Sequence, residues 1–418
     1  MDEIEVPSFF LCPISLEIMK DPVTLSTGIT YDRESIEKWL FSGKNEFCPV
    51  TKQPIPDSEL TPNHTLRRLI QAWCTMNASH GIERIPTPKP PVNKTQIIKL
   101  INDAKSPQSQ IKCLRRLRSI AAESETNKRC LEAAGAVDFL ASLIGNNDYM
   151  NHNEENDMSF TEHFARASDE ALCILNNLQL SETVLKNLMA RNLGLVESLT
   201  KVMQRGTCES RVHAVVLSKS LLEVADPMKI IGLRAEFFVE LVQVLKDQDQ
   251  VSRTAFKAAL QLLIQLCPWG RNRIKAVEAG AVPVLIELLL ETNSSEKRRC
   301  VEVAMAVLDL LCGCAEGRAE FLHHSAGLAM VSKKILRVSQ VASEKAVRIL
   351  YSISKFSATT GVLQEMLQLG VVAKLCLVLQ VDCGSKTKER AREILKLHAR
   401  TWKKSPCVPT NLLSSYPA

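Results

Sequence analysis

Apolar residues recur at helical spacing along most of the chain, and the segments that carry them resemble one another. Each begins at a small residue or turn and continues into an apolar stripe, as in AGAVDFLASLIG (134–145), LGLVESLTKVMQRG (193–206), AEFFVELVQVLKD (235–247), AGAVPVLIELLLE (279–291), AGLAMVSKKILRV (326–338) and LGVVAKLCLVLQV (369–381). A helix with one apolar stripe cannot bury that stripe alone. The pattern therefore predicts helices that stack on one another.

The spacing of these segments predicts the architecture. Equivalent positions are separated by 59, 42, 44, 47 and 43 residues, counted from Gly135 through Gly194, Glu236, Gly280 and Gly327 to Gly370. A period of about 40–47 residues is typical of armadillo or HEAT solenoids, in which each repeat has two or three helices. We therefore predict a mostly α protein whose main part, residues 96–404, is an armadillo-type α-solenoid.

Three features qualify this prediction. The polar, acidic stretch about 146–163 explains the one long interval, and we interpret it as an insertion loop. The basic segment 386–404 is predicted to be the last helix, which caps the stack, and residues 405–418 form a tail. Residues 80–95 include four prolines between 83 and 95, which favour extended structure. We expect this linker to keep the solenoid and residues 5–79 close together but free to reorient.

The N-terminal part has the layout of a small zinc-bound domain but few ligands. Structural zinc sites need clustered Cys and His residues. Between residues 10 and 75 the candidates are Cys12, Cys48, His64 and Cys74, all singly placed. We therefore predict no metal, and hydrogen bonds and ion pairs in its place. Asp32 is expected to cap the following helix, and Gly28 suits a hairpin turn.

Several stretches of this part identify a family resemblance. They are FxCPISLEIMKDPV, TGITYDR, IEKWL, CPVTKQP and PNHTLRRLIQAW, in this order. Residues 5–79 resemble the U-box, the zinc-free relative of the RING, which is a small α+β domain. A U-box followed by armadillo repeats is the arrangement of a plant ubiquitin ligase family. The short linker and the KSPC-containing C-terminus resemble the branch associated with defence and stress responses.

The resemblance implies a function without a covalent enzyme intermediate. A U-box binds a ubiquitin-charged conjugating enzyme and holds the thioester while a substrate lysine attacks, and the repeats recruit the protein substrate. By resemblance, the conjugating enzyme binds Ile14, Leu16, Trp39 and Pro49. Lys52 stands where U-boxes often carry an arginine that clamps ubiquitin, and it keeps the charge without the planar fork. Residues expected to support the fold are Cys12, Glu17, Asp21, Val23, Asp32 and Arg33.

Other interpretations remain open from the sequence. Ile14, Leu16 and Trp39 could be core residues, and Lys52 could be an ordinary solvated lysine. The competing class of function is a non-catalytic armadillo scaffold whose U-box only docks a partner. The formal net charge of +6 is small for 418 residues and does not favour nucleic acid as a partner.

The apolar runs, the N-terminus and the cysteines together indicate the expected cellular compartment. No apolar run is long enough to cross a bilayer, and the N-terminus MDEIEV lacks the basic start of a secretory signal. The 14 cysteines are then expected to be reduced thiols. We predict a cytoplasmic and also nuclear protein without a cofactor, and whether its U-box dimerises is left open.

Overall fold

The computed structural model describes residues 5–42, 45–55, 60–78, 82–83, 85, 92–145, 158–192, 194–247, 252–291 and 298–402. These residues form two compact units. The first unit holds the described residues up to Leu143 together with those of 157–179, and the second holds residues 144–145 and those from Leu180 onward.

The first unit contains a small sheet and seven helices. Its strands are β1 Pro22–Thr24, β2 Thr30–Asp32 and β3 Thr61–Pro62, and its helices are α1 Arg33–Glu37, α2 His64–Met76, α3 Lys94–Asp103, α4 Pro107–Glu123, α5 Glu125–Ala133, α6 Ala136–Gly145 and α7 Met158–Leu178. A 3₁₀ turn spans Ser8–Phe10, and a π-helical turn at Lys38–Ser42 extends α1.

The U-box is built on the central strand β1, which pairs antiparallel with β2 and β3. Gly28 has φ +79° in the turn between β1 and β2, a conformation that glycine adopts without a Cβ penalty, so the predicted hairpin is confirmed. Tyr31, Ile36 and Ile70 are fully buried in the core. Leu69 of α2 lies in solvent, with 52% of its surface exposed.

The linker makes contacts at both ends. Ile82 and Ile85 pack against the U-box core, and the amide of Val92 donates to Asn127 Oδ1 at 3.3 Å. α3 begins at Lys94, within the predicted linker. These contacts tie the described parts of the linker to its neighbours, whereas the prolines alone predicted a freely reorienting connection.

The acidic insertion is shorter than predicted where it can be compared. α7 begins at Met158, so residues 158–163 are helical rather than loop, and residues 146–157 lie outside the described part. Ala167, Leu172 and Leu175 of α7 are buried. The helical spacing of these buried residues belongs to one helix, α7, which also includes residues 158–163 of the predicted loop.

The second unit is a stack of helices. They are α8 Glu182–Arg191, α9 Leu195–Arg205, α10 Cys208–Glu223, α11 Pro227–Ile231, α12 Ala235–Lys246, α13 Arg253–Leu266, α14 Gly270–Glu278, α15 Ala281–Glu291, α16 Arg298–Leu311, α17 Ala315–His323, α18 Gly327–Lys334, α19 Gln340–Phe356, α20 Thr360–Gln368, α21 Val371–Gln380, α22 Ser385–Leu397 and α23 Ala399–Trp402. The long helices α10, α13, α16, α19 and α22 pack in succession. All six repeated segments are helices, namely α6, α9, α12, α15, α18 and α21, so the predicted solenoid is confirmed.

The last predicted helix is interrupted. α22 ends at Leu397 and α23 begins at Ala399, so the single helix expected over 386–404 breaks at His398. The imidazole Nε2 of His398 lies 3.0 Å from the Ser354 carbonyl oxygen. The indole of Trp402 is buried and donates to the Leu363 carbonyl at 3.3 Å. The break lets two side chains bond to the preceding repeat, which closes the apolar core.

Among the described residues, no single helix is long and apolar enough to cross a bilayer. The pair α20 and α21 meets the length and composition criteria only when taken together, and it bends by 66° between its members. Leu363, Met366 and Leu375 of this pair are buried within the protein.

Candidate functional site

Two loops of the U-box have the same backbone geometry. The first loop, CPISLE (12–17), and the second loop, CPVTKQ (48–53), are each closed by two main-chain hydrogen bonds. In the first, the Cys12 amide donates to the Glu17 carbonyl and the Leu16 amide to the Cys12 carbonyl, both at 2.8 Å. In the second, the equivalent bonds from the Cys48 and Lys52 amides are 2.9 and 3.0 Å. The loops are therefore two copies of one turn.

This turn forces its fifth residue into the left-handed region. Leu16 has φ 58° and Lys52 has φ 59°. A residue with a Cβ pays about 1–2 kcal/mol for this conformation, and such strain clusters at functional sites. Leu16 is 74% exposed, and Lys52 is exposed as well. The strained positions thus hold one apolar and one cationic side chain in solvent.

The two buried thiols tie the loops to neighbouring residues of β2. Cys12 Sγ accepts from the Asp32 amide at 3.3 Å. Cys48 Sγ lies 3.0 Å from the Tyr31 hydroxyl oxygen, which also accepts from the Val50 amide at 3.4 Å. Because Tyr31 and Asp32 are consecutive, one strand sets the separation of the loops.

The hydrogen bonds also change the acidity of both thiols. Burial acts to raise the pKa of Cys12, but amides of Ser15, Asp32 and Ile14 together outweigh it and lower the pKa. At Cys48, burial is again opposed by hydrogen bonds, chiefly from the hydroxyls of Thr27, Thr51 and Tyr31, and the pKa falls to about 6. Burial, followed by the hydrogen bond with Cys48, raises the pKa of Tyr31.

The carboxylates of Asp21 and Asp32 and two arginines form hydrogen bonds and ion pairs next to the loops. Asp32 occupies the N-cap position of α1, but its side chain does not cap the helix, so that prediction is wrong. Its Oδ1 instead accepts from the amides of Lys20 and Asp21 at 2.8 and 2.9 Å. Arg33 Nε donates to Asp21 Oδ2 at 2.6 Å, and Arg67 of α2 lies 3.7 Å from the other oxygen. The amides of Lys20 and Asp21 have no strand partner, and the Asp32 carboxylate accepts their hydrogen bonds instead of capping α1.

The two remaining candidates for support differ in how they act. Val23 is fully buried in the central strand. Glu17 is exposed, and it holds the first loop through its main-chain carbonyl, the acceptor of the Cys12 amide. Sequence reasoning named Glu17 for its carboxylate, whereas the described contact uses an atom that every residue has.

Trp39 joins the second loop to the helical side of the site. Its indole nitrogen donates to the Phe47 carbonyl at 2.9 Å, which fixes the ring. The Lys52 ammonium lies 5.9 Å from the ring centroid, within the range of a cation–π contact. Trp39 and Ile14 are half-buried and pack against the U-box core, and Pro49 is also half-buried. Of the four predicted enzyme-contacting residues, Leu16 is therefore the fully exposed one.

Two exposed side chains beside this site escaped the sequence prediction. Val50 is 52% exposed at the position of the second loop that matches Ile14 of the first, and Phe47 precedes that loop with 54% exposure. The repeated motif, CPIS in one loop and CPVT in the other, was the signal that could have identified Val50.

The second unit has a groove of its own. A groove of about 570 Å³ runs across α10, α13, α16 and α19, lined among others by Glu223, Gln261, Arg299, Glu302 and Val341. Arg299 belongs to the basic sequence KRRC (297–300). The lining combines both signs of charge with apolar side chains.

Family models match both parts of the chain. The model described as U-box domain matches residues 6–79, and the model described as plant U-box protein ARM repeat region matches residues 96–418. The chain is 61% identical to the E3 ubiquitin-protein ligase PUB23 of Arabidopsis thaliana, over 100% of this chain and 98% of that protein. It is 60% identical to PUB22 of the same plant, over 100% and 99% of the two chains.

A solved structure agrees at the level of fold. A chain from work on the interaction between cadherin and β-catenin superposes with a TM-score of 0.57 at 13% identity, covering 82% of this chain and 58% of the other. The docking-only scaffold finds no support in the named relatives, which are E3 ubiquitin-protein ligases. The chain belongs to the plant U-box protein family with armadillo repeats, and it is a U-box-type ubiquitin ligase.

Proposed function

We propose that the two loops and Trp39 form the surface on which a ubiquitin-charged conjugating enzyme docks. Leu16 and Val50 supply apolar contacts, Ile14, Trp39 and Pro49 form the floor, and Lys52 reaches the ubiquitin tail. The observation that carries this proposal is the strained left-handed backbone that holds Leu16 and Lys52 in solvent. Strain at exposed side chains has no role in core packing, so it favours a binding role.

The arrangement promotes transfer by orientation. The described U-box thiols Cys12, Cys48 and Cys74 are buried, which does not suit a thiol that must receive ubiquitin. The reacting thioester and the attacking lysine then both come from bound proteins, and the ligase contributes proximity. Lys52 can hydrogen-bond ubiquitin while its charge stays near the Trp39 ring, but it lacks the fork by which arginine bridges two acceptors.

The substrate surface is proposed on the second unit. The groove across α10, α13, α16 and α19 is open and mixed in charge, which suits an extended protein segment. Charge reversal of Arg299 should weaken substrate modification and leave discharge of ubiquitin to free lysine unchanged. Equal loss in both assays would remove the groove from this role.

Reconstitution tests the docking surface. With activating enzyme, conjugating enzyme, ubiquitin and ATP, the wild-type chain should modify itself, and Leu16→Ala should reduce that modification at least tenfold. Ile14→Ala and Trp39→Ala should also reduce it, but both residues touch the core, so Leu16 gives the cleaner result. Leu336→Ala is the matched control, because Leu336 is also an exposed leucine with positive φ, 57°, outside the U-box. Equal activity of the Leu16 and Leu336 variants would refute the site.

The cellular setting is a proposal as well. The short linker and the KSPC segment favour a role in defence or stress signalling, in the cytoplasm and the nucleus. Proximity labelling with a Leu16 variant, which should retain substrates without modifying them, would identify the proteins concerned. Enrichment of proteins unrelated to stress signalling would contradict this setting.

A U-box dimer is proposed from an exposed apolar stripe. Leu69 and Met76 are large side chains with exposures of 52% and 73%, and they lie two turns apart on one face of α2. Leu69→Glu should shift a dimer to monomer in light scattering, and a wild-type monomer at micromolar concentration would contradict the proposal.

A further inference from the structure

Glu37, the last residue of α1, is buried with 1% of its surface exposed. Its Oε1 accepts a hydrogen bond from the Thr126 hydroxyl at 2.5 Å, and Arg33 Nη1 lies 3.8 Å away. Thr126 belongs to α5, among the solenoid helices of the first unit. A carboxylate withdrawn from water needs such partners. The U-box and the start of the solenoid therefore share one buried charged group.

The residue after Thr126 receives the end of the linker. Asn127 is buried, accepts from the Val92 amide at 3.3 Å and donates to the Ile120 carbonyl at 3.1 Å. Both residues lie in the first turn of α5, where the free amides of a helix favour a negative charge. Two consecutive residues thus hold the U-box helix and the incoming chain.

This contact lies away from the docking surface. Trp39 follows Glu37 by two residues, and successive helical residues rotate by about 100°, so the two side chains leave the helix on roughly opposite faces. Trp39 bonds to the Phe47 carbonyl beside the second loop, whereas Glu37 bonds to α5. The bond to α5 therefore leaves the loops accessible.

We propose that Glu37 is a positioning residue whose bond to Thr126 sets the direction in which the U-box presents the charged enzyme relative to the first repeats. This inference rests on the proposed docking surface. Ubiquitin reaches only those lysines that approach the thioester in a reactive geometry. A fixed direction therefore selects acceptor lysines, and release of the bond broadens the selection without changing the docking loops.

Thr126→Val is the test, because it removes the hydroxyl and keeps the side-chain shape. In the full chain, discharge of ubiquitin to free lysine should stay within twofold of wild type. The self-modified lysines, mapped by mass spectrometry, should redistribute, with the dominant site losing at least threefold of its share. Thr126→Ser retains a hydroxyl and should restore the wild-type map.

The chain supplies a matched control. Thr183 follows Ser-Glu at the start of α8, as Thr126 follows Ser-Glu at the start of α5, and it is exposed. Thr183→Val should give the wild-type map. Hydrogen exchange gives a second readout, since Thr126→Val should speed exchange of the amides of α1 and of the first turn of α5, and Thr183→Val should not.

Two results would overturn the inference. An unchanged lysine map in Thr126→Val would show that the bond does not set direction, and a parallel loss of free-lysine discharge would show that it supports the U-box fold instead. Wild-type chain that discharges no ubiquitin would refute the proposed docking surface alone. In that case the exchange measurement would still decide whether the contact joins the two parts, and unchanged exchange would overturn the inference too.

Discussion

The first and second loops of the U-box share a backbone but differ at the residue that the backbone displays. Each loop begins at a buried cysteine, and the amide of its fifth residue donates to the carbonyl of that cysteine. In both loops the fifth residue has a positive φ. The first displays Leu16 and the second displays Lys52. The two loops therefore share one backbone geometry and differ in the side chain that this geometry exposes.

The loops differ in their anchors as well. Cys12 is held by a main-chain amide of β2, which any residue except proline at position 32 would provide. Cys48 is held by the side chains of Tyr31 and Thr27. Many substitutions remove a side-chain anchor, whereas only proline removes a main-chain amide. The second loop is thus the one whose position depends on residue identity.

An exchange of Leu16 and Lys52 would show most clearly whether the backbone geometry or the exposed side chain determines activity. The double variant Leu16→Lys with Lys52→Leu keeps both backbones and should fold with unchanged circular dichroism. Free-lysine discharge should fall about 100-fold, because burial of one leucine contributes about 1.5–3 kcal/mol and the cation is also displaced. Single-turnover kinetics would measure this, and wild-type activity of the exchanged chain would show that the loops are interchangeable.

The acidity of Cys48 predicts a pH response confined to the second loop. Because the folded pKa of about 6 lies below the ordinary thiol value, the stabilisation is full above the unfolded pKa and is lost as pH falls towards 6. Since each pKa unit corresponds to about 1.4 kcal/mol, a shift from about 8.5 to about 6 corresponds to about 3.5 kcal/mol in total, of which about 2.5 kcal/mol is lost between pH 8.5 and 6.

Hydrogen exchange, corrected for intrinsic rates, would measure this response in residues 45–55 of the full chain. Cys48→Ser should abolish the pH dependence, since serine does not ionise in this range. A comparable pH response in the serine variant would assign the titration to another group.

The side-chain anchor itself should have a smaller effect. Tyr31→Phe keeps the ring in the core but removes the hydroxyl that meets Cys48 Sγ and the Val50 amide. We expect a loss of about 1–2 kcal/mol in protection of the second loop, with the first loop unaffected. Exchange rates of both loops in one sample provide the internal control, and equal loosening of the two would contradict the independence of their anchors.

The smallest expected effect is at the cation. Lys52→Arg should raise free-lysine discharge about two- to fivefold, because a planar fork can bridge two acceptors. Lys52→Gln keeps a long polar side chain and should lower discharge, which separates charge from length. Unchanged rates in both variants would leave Lys52 as a solvated residue.

The solenoid was predictable because its signal is repeated. Six segments carry the same apolar spacing, so one irregular copy such as AEFFVELVQVLKD does not obscure the period. The break at His398 was not predictable, because Leu397 and His398 continue an acceptable helical pattern. The Ser354 and Leu363 carbonyls, which bond to His398 and Trp402 and are distant from them in sequence, favour the break.

The site was predictable in its residue types more than in its contacts. Family motifs located Leu16 and Lys52, but no local pattern indicates that both are left-handed, since leucine and lysine are poor choices for that region. The contacts of Asp32 could not be predicted from the local sequence either. Its position before a helix predicted a cap, whereas its carboxylate serves two amides 11 and 12 residues earlier in the chain. The contact of Glu37 with Thr126 could not be predicted, because the two residues lie 89 positions apart in the chain.

The packing of Ile82 and Ile85 on the U-box core has a practical consequence for dissection of this ligase. A fragment cut where the recognisable motif stops, near residue 79, would leave that apolar patch uncovered and would be prone to precipitate. One that continues through Ile85 carries its own cover. The smallest autonomous piece is thus longer than the family signature, and it includes the first residues of the linker up to Ile85.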